Sequence, residues 1–430
     1  MTHKFEQFIF DSYHFDENTK TLKLNYCIDD EIKFCEKYYF DFEFSDFDND
    51  VLDRAVQDLF FVAGVSYYKT YIPPKIVLRS GQLDEYQARF FSKTYQKGLG
   101  EFWYVNNLDP KTPVNFPVSS GPQKSLTSSG AGQLLGIGGG KDSLVSAELL
   151  KTQSEIKTWS LNHRSQLEPL VDVIGTQHYY VDREWDPQLA EISSNGGLNG
   201  HIPISAIFAA VGTIVAVLTD NRDTITSNEQ SANEATLRYK SVDINHQYSK
   251  SQEFERDYQR LLAHNFGDSL RYYSFLRPMS ELKIAEVFSR VGWEKYKNVF
   301  SSCNRAYTQS SNKMFWCGKC SKCAFVFLML TPFVDRVKIE NLWEGKNLLL
   351  DPELEETYRQ LLGIEGDKPL DCVGEVKESR VAMEMAQKIY PELEKYVFDV
   401  PDDYDYRTLS AHEMPDEIYE IFNKAVKATL

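Results

Sequence analysis

The chain has 430 residues, 42% apolar and 26% charged, which is the balance of a globular protein of two or three domains and not of a disordered one. Asp and Glu number 63 against 47 Lys and Arg, and this charge of −16 argues against a dedicated nucleic-acid or anionic-membrane binder. No basic and apolar leader begins the sequence, and four of the seven cysteines crowd between 303 and 323, unlike a secreted disulfide framework. We therefore expect a cytoplasmic protein.

Residues 1–125 are predicted to form an N-terminal domain that contains an antiparallel meander. Three aromatic and β-branched segments, separated by acidic turn sequences, predict its strands. These segments are 5–13, 21–27 and 34–42. Helical patterns follow at 51–68 and 84–98. Residues 106–132 are rich in Pro, Ser and Gly without periodicity, which predicts a loop and a domain boundary.

Between residues 130 and 337 the predicted strands alternate with helices, which indicates a doubly wound, mostly parallel α/β sheet. The predicted strands are 133–137, 156–161, one within 171–181, and 224–226, and the predicted helices are 143–151 and 202–218. The second helix is the most apolar stretch, but it is shorter than the roughly 20 residues of a membrane span, so we expect it to be buried.

Residues 338–430 are predicted to be a mainly helical C-terminal region. The helical patterns there are 354–362, 378–389 and 416–427.

The segment richest in chemical information runs Leu-Leu-Gly-Ile-Gly-Gly-Gly-Lys-Asp-Ser from Leu134 to Ser143. Glycines allow backbone N–H groups to approach phosphate oxygens, and the following helix adds the positive end of its dipole. The Walker A pattern fails because Leu135 and Asp142 stand where Gly and Ser or Thr are needed. The dinucleotide fingerprint fails because Lys141 occupies its last glycine position. The sequence therefore predicts an anion cradle of another kind.

This segment resembles the PP-loop, Ser-Gly-Gly-x-Asp-Ser, of the ATP pyrophosphatases, with a glycine in place of the first serine. The resemblance implies cleavage of ATP between its α- and β-phosphates, with the loop holding the pyrophosphate. It further implies that Asp142 lies near Mg²⁺ and that Lys141 neutralises phosphate charge. The implied nucleotide-binding residues are Gly138, Gly139, Gly140, Lys141, Asp142 and Ser143. The alternative is an ordinary tight turn between a strand and a helix.

In such a fold the next strand lines the adenine pocket. Here that strand is 156–161, and Asn162, His163 and Arg164 follow it.

Four cysteines predict a metal site. Cys317, Cys320 and Cys323 form two interlocked Cys-x2-Cys spacings, and Cys303 lies upstream of them. Four thiolates suit tetrahedral Zn²⁺, and they leave an iron–sulfur cluster open. The order of glycine loop and cysteines is similar to that of 7-cyano-7-deazaguanine synthase, which implies a structural role for the zinc.

Three further segments supply candidate catalytic and substrate-binding residues. A histidine at the start of the apolar helix faces a ligand or caps the helix. Polar residues after strand 224–226 occupy the edge where open α/β sheets bind ligands, although a solvated turn has the same composition. A cysteine in segment 368–380 is either a proton-transfer thiol or a small core residue. The candidates are His201, Asn228, Glu229, Ser231, Asn233, Cys372 and Arg380.

Three further segments of the sequence carry a resemblance to one family. They are Gly-His-Ile-Pro-Ile-Ser, Ser-Asn-Glu-Gln-Ser-Ala-Asn and Phe-Trp-Cys-Gly-Lys-Cys-Ser-Lys-Cys. The chain resembles the MurL family of UDP-N-acetylmuramoyl-L-alanyl-L-glutamate epimerases over most of its length. This resemblance implies a peptidoglycan-precursor enzyme that uses ATP and Mg²⁺ to invert the terminal L-Glu of UDP-MurNAc-L-Ala-L-Glu through carboxylate adenylation. AMP and diphosphate would be released. Glu229, His201 and Cys372 are then the candidate bases.

Other functions remain open from the sequence. One is another PP-loop enzyme that adenylates a carboxylate, either a ligase or an enzyme like 7-cyano-7-deazaguanine synthase. A non-catalytic nucleotide-binding regulator is the alternative from another class. The expected partner is a small-molecule substrate, with neither nucleic acid nor membrane, and a homo-oligomer is left open.

Overall fold

The computed structural model describes residues 5–308 and 311–429, and they form an α/β structure. The strands are β1 Gln7–Asp16, β2 Thr21–Ile28, β3 Ile32–Phe40, β4 Lys75–Leu78, β5 Gly132–Gly136, β6 Lys157–Leu161, β7 His178–Glu184, β8 Asn221–Thr226, β9 Leu237–Tyr239, β10 Val242–Ile244 and β11 Arg271–Ser274. The helices of the N-terminal half are α1 Asn49–Ala63, α2 Val65–Tyr68, α3 Glu85–Gly98, α4 Gly100–Val105, α5 Lys141–Lys151, α6 Arg164–Ile174, α7 Gln188–Glu191 and α8 Ile204–Leu218. Those of the C-terminal half are α9 Gln252–Phe266, α10 Glu281–Val291, α11 Trp293–Tyr296, α12 Ser321–Leu330, α13 Arg336–Asn341, α14 Glu355–Leu361, α15 Val376–Gln387 and α16 Asp416–Thr429.

Nine strands form one sheet in the order β11-β8-β5-β6-β7-β3-β2-β1-β4. The five strands from β11 to β7 are mutually parallel, and β1, β2 and β3 form the expected antiparallel meander. Strand β3 pairs antiparallel with β7, so the meander extends the parallel sheet. The α/β class and the mostly parallel sheet are confirmed. The division into three domains stays a prediction, because this sheet spans the first two of them.

The two faces of the sheet bury separate hydrophobic cores. Leu134 lies in the core that contains the N-terminal helices and α8, while its neighbour Leu135 lies in the core that contains α5, α10 and the C-terminal helices. This alternation follows from the pleat, which points successive side chains to opposite faces. Helices therefore cover both faces, as a doubly wound sheet requires.

Helix α8 is buried, as its sequence predicts, and its C-terminal two-thirds from Ala209 to Leu218 has no exposed residue. In the described part of the chain, every helix is too short or too polar to span a bilayer. The strand expected within 171–181 begins only at His178, because helix α6 occupies the sequence up to Ile174 and ends at Gly175, whose φ of 70° is left-handed. Strands β4, β9, β10 and β11 were not predicted, since each has only three or four residues.

A buried ion pair joins the meander to the parallel strands. Arg183 on β7 donates from Nε and Nη2 to the two carboxylate oxygens of Glu36 on β3, at 2.9 and 3.0 Å. Neither side chain is exposed. The Tyr38 hydroxyl also donates to Glu36, and Arg183 Nη2 also donates to the Ser66 hydroxyl. A paired arginine and carboxylate satisfy each other here, whereas either one alone would be a buried, uncompensated charge.

We predict that replacing Arg183 by Met lowers the free energy of unfolding by about 3–5 kcal/mol, because Glu36 is left charged without a partner. Denaturant unfolding measures this change. Lys37→Met is the matched control, since Lys37 pairs with Glu184 across the same two strands on the exposed surface and should cost less than about 1 kcal/mol. Equal losses in the two variants would contradict a special role for the buried pair.

Candidate functional site

The loops that follow four parallel strands meet at one edge of the sheet. The order β7-β6-β5-β8-β11 reverses at β5, because β6 lies on one side of it and β8 on the other. Open α/β sheets bind ligands outside the carboxyl ends of their strands at such a reversal. The glycine loop follows β5, and the predicted polar segment follows β8.

The glycine loop leads directly into helix α5. Gly140 has an extended conformation and caps the helix at its N-terminus without a side chain. The Ser143 hydroxyl donates to the carbonyl of Gly138 at 3.0 Å and lies 3.3 Å from its N–H, which closes the loop on itself. Around Gly138 no atom lies within 4 Å of where a Cβ would be. The open side of the loop is therefore available to a ligand.

The other side of the glycine loop is closed by the segment that carries Cys303. The Ser301 N–H donates to the carbonyl of Gly139 at 2.8 Å. A Cβ at Gly139 would overlap the Tyr307 hydroxyl and the Ser301 carbonyl. Glycine is thus required at position 139 by this packing.

Lys141 connects two carboxylates beside the loop. Its ammonium group lies 2.5 Å from Asp142 and also contacts Glu281 at the start of α10, and both Lys141 and Glu281 are buried. Burial and the nearby Asp142 raise the pKa of Glu281 to about 7. Burial also opposes ionisation of Asp142, but Lys141 and Lys322 outweigh it and lower the pKa of that carboxyl. Asp142 is thus an ionised carboxylate, the kind of ligand that Mg²⁺ prefers.

The polar segment after β8 is a fixed part of the structure and not a solvated turn. Asn228, Glu229 and Ser231 are all buried. Ser274 donates to the carbonyl of Asn228 at 2.5 Å, and Arg277 donates to that of Glu229 at 2.7 Å. The Glu229 carboxylate accepts a hydrogen bond from Ser231 at 2.9 Å. These bonds place an oriented carboxylate at the same edge of the sheet.

A second group of side chains surrounds Cys372. Lys250 Nζ donates to Cys372 Sγ at 3.1 Å, and Nε2 of His246 lies 3.8 Å from the same sulfur. On the opposite edge of that imidazole, Nδ1 lies 2.9 Å from a carboxylate oxygen of Glu101. The same oxygen lies 3.3 Å from Nδ1 of His201. Thiol, imidazole and carboxylate therefore form a continuous chain of hydrogen bonds.

The charges around Cys372 favour a thiolate. Burial opposes ionisation, but Lys250, His246 and Lys322 lower the pKa of Cys372 to about 6. Burial likewise opposes protonation of His246, but its bonds to the thiol and to Glu101 raise its pKa to about 9. His201 behaves differently, because burial lowers its pKa to about 4.

Lys322 interacts with both the thiol-bearing segment and the end of the glycine loop. Its ammonium group donates to the backbone carbonyl of Cys372, and its charge is among those that lower the pKa of Asp142. Burial lowers the pKa of Lys250, but the negative charges of Cys372, Glu229 and Asp142 outweigh burial and raise it. The glycine loop, the segment after β8 and the thiol thus share one electrostatic environment, which we call the carboxyl-edge site.

The four predicted cysteine ligands lie together. Cys303 Sγ lies 3.9 Å from Cys320 Sγ, Cys317 Sγ lies 3.8 Å from Cys323 Sγ, and all four sulfurs are within 4.8 Å of one another. Sulfurs of a tetrahedral zinc site, with Zn–S bonds of about 2.3 Å, are separated by about 3.8 Å. The Lys319 N–H points to Cys317 Sγ, so the backbone also supports an anionic sulfur. The cluster can therefore hold a metal ion such as zinc.

A cavity of about 570 Å³ lies beside the residues that follow β6, the position at which we expected the adenine pocket. Tyr307, which packs against the glycine loop, lines this cavity. Asn162 and His163 in its wall have left-handed φ values of 60° and 58°. Such backbone is uncommon outside glycine and occurs often at ligand sites. Arg164 also lines this cavity.

Two predicted substrate residues lie outside the carboxyl-edge site. Arg380 donates to the backbone carbonyls of Leu362, Gly363 and Asp399, so its guanidinium stabilises the C-terminal region. Asn233 accepts a hydrogen bond from the backbone of Gln252 and lines a separate cavity of about 1130 Å³.

Sequence reasoning missed Glu101, His246, Lys250 and Glu281. Each is a polar residue outside any motif, and together they come from three separate parts of the chain: helix α4, the segment between β10 and α9, and the start of α10. No glycine-rich segment or turn sequence marks their positions. Only the fold brings them to the thiol and to Lys141.

These features define a class of protein. It is a doubly wound α/β protein with a glycine loop at the carboxyl edge of its sheet, a thiol in contact with a lysine and an imidazole, and four cysteines that could hold a metal ion.

The comparisons with known proteins narrow this class. The family model of the MurL N-terminal domain matches residues 1–275, and that of the MurL C-terminal domain matches residues 299–400. The chain belongs to the MurL family. No solved structure matches it.

Curated relatives agree with this assignment. A protein of Xanthomonas oryzae pv. oryzae named UDP-N-acetyl-alpha-D-muramoyl-L-alanyl-L-glutamate epimerase is 37% identical over 77% of this chain and 74% of its own length. The protein of the same name from Salinispora tropica is 36% identical over 89% of this chain and 85% of its own length.

We predict that the purified protein contains about one zinc ion per chain and that Cys320→Ser lowers this content and the melting temperature together. Elemental analysis and thermal unfolding measure the two effects. Cys35→Ser is the matched control, because Cys35 is half-buried on β3 and takes no part in the cluster. Iron and acid-labile sulfide in the protein would instead support an iron–sulfur centre.

Proposed function

We propose that the protein is an ATP-dependent epimerase that inverts the terminal L-Glu of UDP-MurNAc-L-Ala-L-Glu to D-Glu. The family assignment supports the substrate and the inversion. The observation that carries the role of ATP is the glycine loop at the carboxyl edge of β5, beside Lys141, an ionised Asp142 and a thiol suited to proton transfer.

Activation by ATP answers a chemical difficulty. The α-proton of a free carboxylate is very weakly acidic, because the carbanion would form next to a negative charge. Adenylation converts the carboxylate into an activated acyl group with release of pyrophosphate, and a general base can then remove the α-proton. Return of a proton to the opposite face inverts the centre. Hydrolysis of the acyl adenylate restores the acid and releases AMP.

The residues of the carboxyl-edge site divide this work. Gly138, Gly139, Gly140 and Ser143 are suited to the phosphates, because their backbone N–H groups and hydroxyl lie at the N-terminus of α5. Lys141 would neutralise phosphate charge. Asp142 would ligate Mg²⁺, which when bound stabilises the negative charge that develops on the phosphates. The cavity after β6 has a position suited to adenine.

Zinc has a structural role in this proposal. The four cysteines hold the segment that packs on the glycine loop, and four thiolates leave no open coordination position for a substrate. The metal is therefore assigned to support of the site and not to the chemistry.

The experiment that tests the function incubates the protein with Mg-ATP and UDP-MurNAc-L-Ala-L-Glu and measures AMP, pyrophosphate and the configuration of the recovered glutamate. We expect AMP and D-Glu together. AMP with unchanged L-Glu would instead indicate a ligase that adenylates the carboxylate and requires an amine as its second substrate. Absence of AMP from folded, metal-loaded protein would contradict the proposal, and nucleotide binding without turnover would point to a regulator.

We predict that Gly139→Ala lowers the rate of AMP formation by at least about tenfold, because the added methyl group displaces Tyr307 or the loop from its position. Gly121→Ala is the matched control, since no atom lies within 4 Å of its Cβ position, its φ is not left-handed and it lies outside the glycine loop. AMP formation by both variants measures the effect. Equal rates would show that the packing against Tyr307 does not matter for the loop.

A further inference from the structure

The thiol of Cys372 is the best-placed base in the carboxyl-edge site. The residue is half-buried, and its sulfur contacts the Lys250 ammonium group directly. His246 has an 8% exposed side chain and is held between this sulfur and Glu101. A cation and an oriented imidazole on one sulfur are the surroundings that activate catalytic thiolates.

The other two candidate bases have weaker arrangements. Nδ1 of His201 contacts Glu101, and its ring lies 5.2 Å from that of His246, but no hydrogen bond among the described residues joins it to Lys250 or to the glycine loop. The Glu229 carboxylate is hydrogen-bonded to Ser231, and no imidazole of the described residues is hydrogen-bonded to it. Among the described residues, only Cys372 combines a cation contact with a hydrogen-bonded imidazole and carboxylate.

We infer that Cys372 is the base that removes the α-proton of the activated glutamyl residue, with His246 and Glu101 as positioning residues. This inference rests on the proposed function. If Cys372 is the base, the C-terminal region contributes a catalytic residue to the reaction.

The proton transfer is balanced in atoms and charge, and it requires no reactant other than water. The Cα–H bond breaks, the proton binds to Cys372 Sγ, and the electron pair of that bond moves into the activated acyl carbonyl. A proton from water is added to Cα on the opposite face. The hydroxide that remains takes up the proton released from Sγ, so the thiolate is restored and the α-hydrogen of the product comes from the solvent.

The test compares the wild type with Cys372→Ala and Cys372→Ser in D₂O, with Mg-ATP and UDP-MurNAc-L-Ala-L-Glu. The readouts are AMP, D-Glu and deuterium at Cα. We expect both variants to form AMP while inversion and deuterium incorporation from the L-epimer fall by about 10²–10⁴-fold, the usual contribution of a general base. Cys35→Ala is the matched control and should retain all three activities.

Each outcome distinguishes this inference from the proposed function. A variant that makes no D-Glu but retains AMP formation supports Cys372 as the base. Inversion at the wild-type rate by Cys372→Ala would overturn the inference and leave the proposed function intact. Loss of AMP and inversion together would also overturn it, because the thiol would then serve activation or folding. A wild type that forms no AMP would refute the proposed function itself.

The pH dependence tests the positioning residues. The charged groups that face the thiol are Lys250, Lys322 and the His246–Glu101 pair, and inversion should rise with pH as the thiolate forms, near pH 6. Replacing Glu101 by Gln makes His246 less cationic, so the pKa of Cys372 rises and this acidic limb moves to higher pH. Lys250→Met should move it in the same direction.

Thiol alkylation by iodoacetamide, followed residue by residue with mass spectrometry, measures the same titration without turnover. We expect Cys372 to react at a lower pH than Cys35, whose pKa is raised by burial. In Glu101→Gln the reaction of Cys372 should shift to higher pH. A lower inversion rate in that variant with an unchanged pH profile would show that Glu101 serves the fold alone.

Discussion

The four-cysteine cluster is the constraint on which the geometry of the carboxyl-edge site depends. On one side of Cys303, Ser301 donates to the glycine loop, and Tyr307 on the other side packs against it. The residues next to the cysteines also donate to both carboxylate oxygens of Asp371, which precedes Cys372. The cysteine cluster is therefore bonded, through its neighbouring residues, to both the glycine loop and the segment that carries the thiol. Two segments separated by more than 200 residues are thereby held in a defined relation.

The charges of the site stabilise one another in a buried environment. Lys141 lies between Asp142 and Glu281, and Cys372 is surrounded by Lys250 and Lys322. Desolvation penalises each of these groups alone, but opposite charges at short distance restore the ionised forms. Glu281 nevertheless has a raised pKa, because it is buried and because the charge of Asp142 lies close to it. Phosphate oxygens would supply further negative charge at this point, and the lysines are the groups able to receive it.

Local patterns were sufficient to predict the fold class and part of the site. Strands of the meander, the loop from Gly138 to Gly140 and the four cysteines all have signals within a short sequence window, and the structure places them as expected. His246, Lys250 and Glu101 have no such signal. They reach Cys372 because β9 and β10, the loops beside them and α4 converge, and that convergence depends on tertiary packing rather than on spacing. The short strands escaped prediction for a related reason, because three or four residues show no periodicity.

The hydrogen bonds that lead to the thiol connect segments from both ends of the sequence. Glu101 belongs to α4 in the N-terminal region, whereas Cys372 belongs to the C-terminal region, and His246 connects the two. The relay to the thiol is therefore complete only when both ends of the chain are packed on the same sheet. The buried pair of Glu36 and Arg183 holds the meander on the parallel strands of that sheet. The lowered pKa of Cys372 therefore depends on contacts between segments that lie far apart in the sequence, and it is a property of the whole fold.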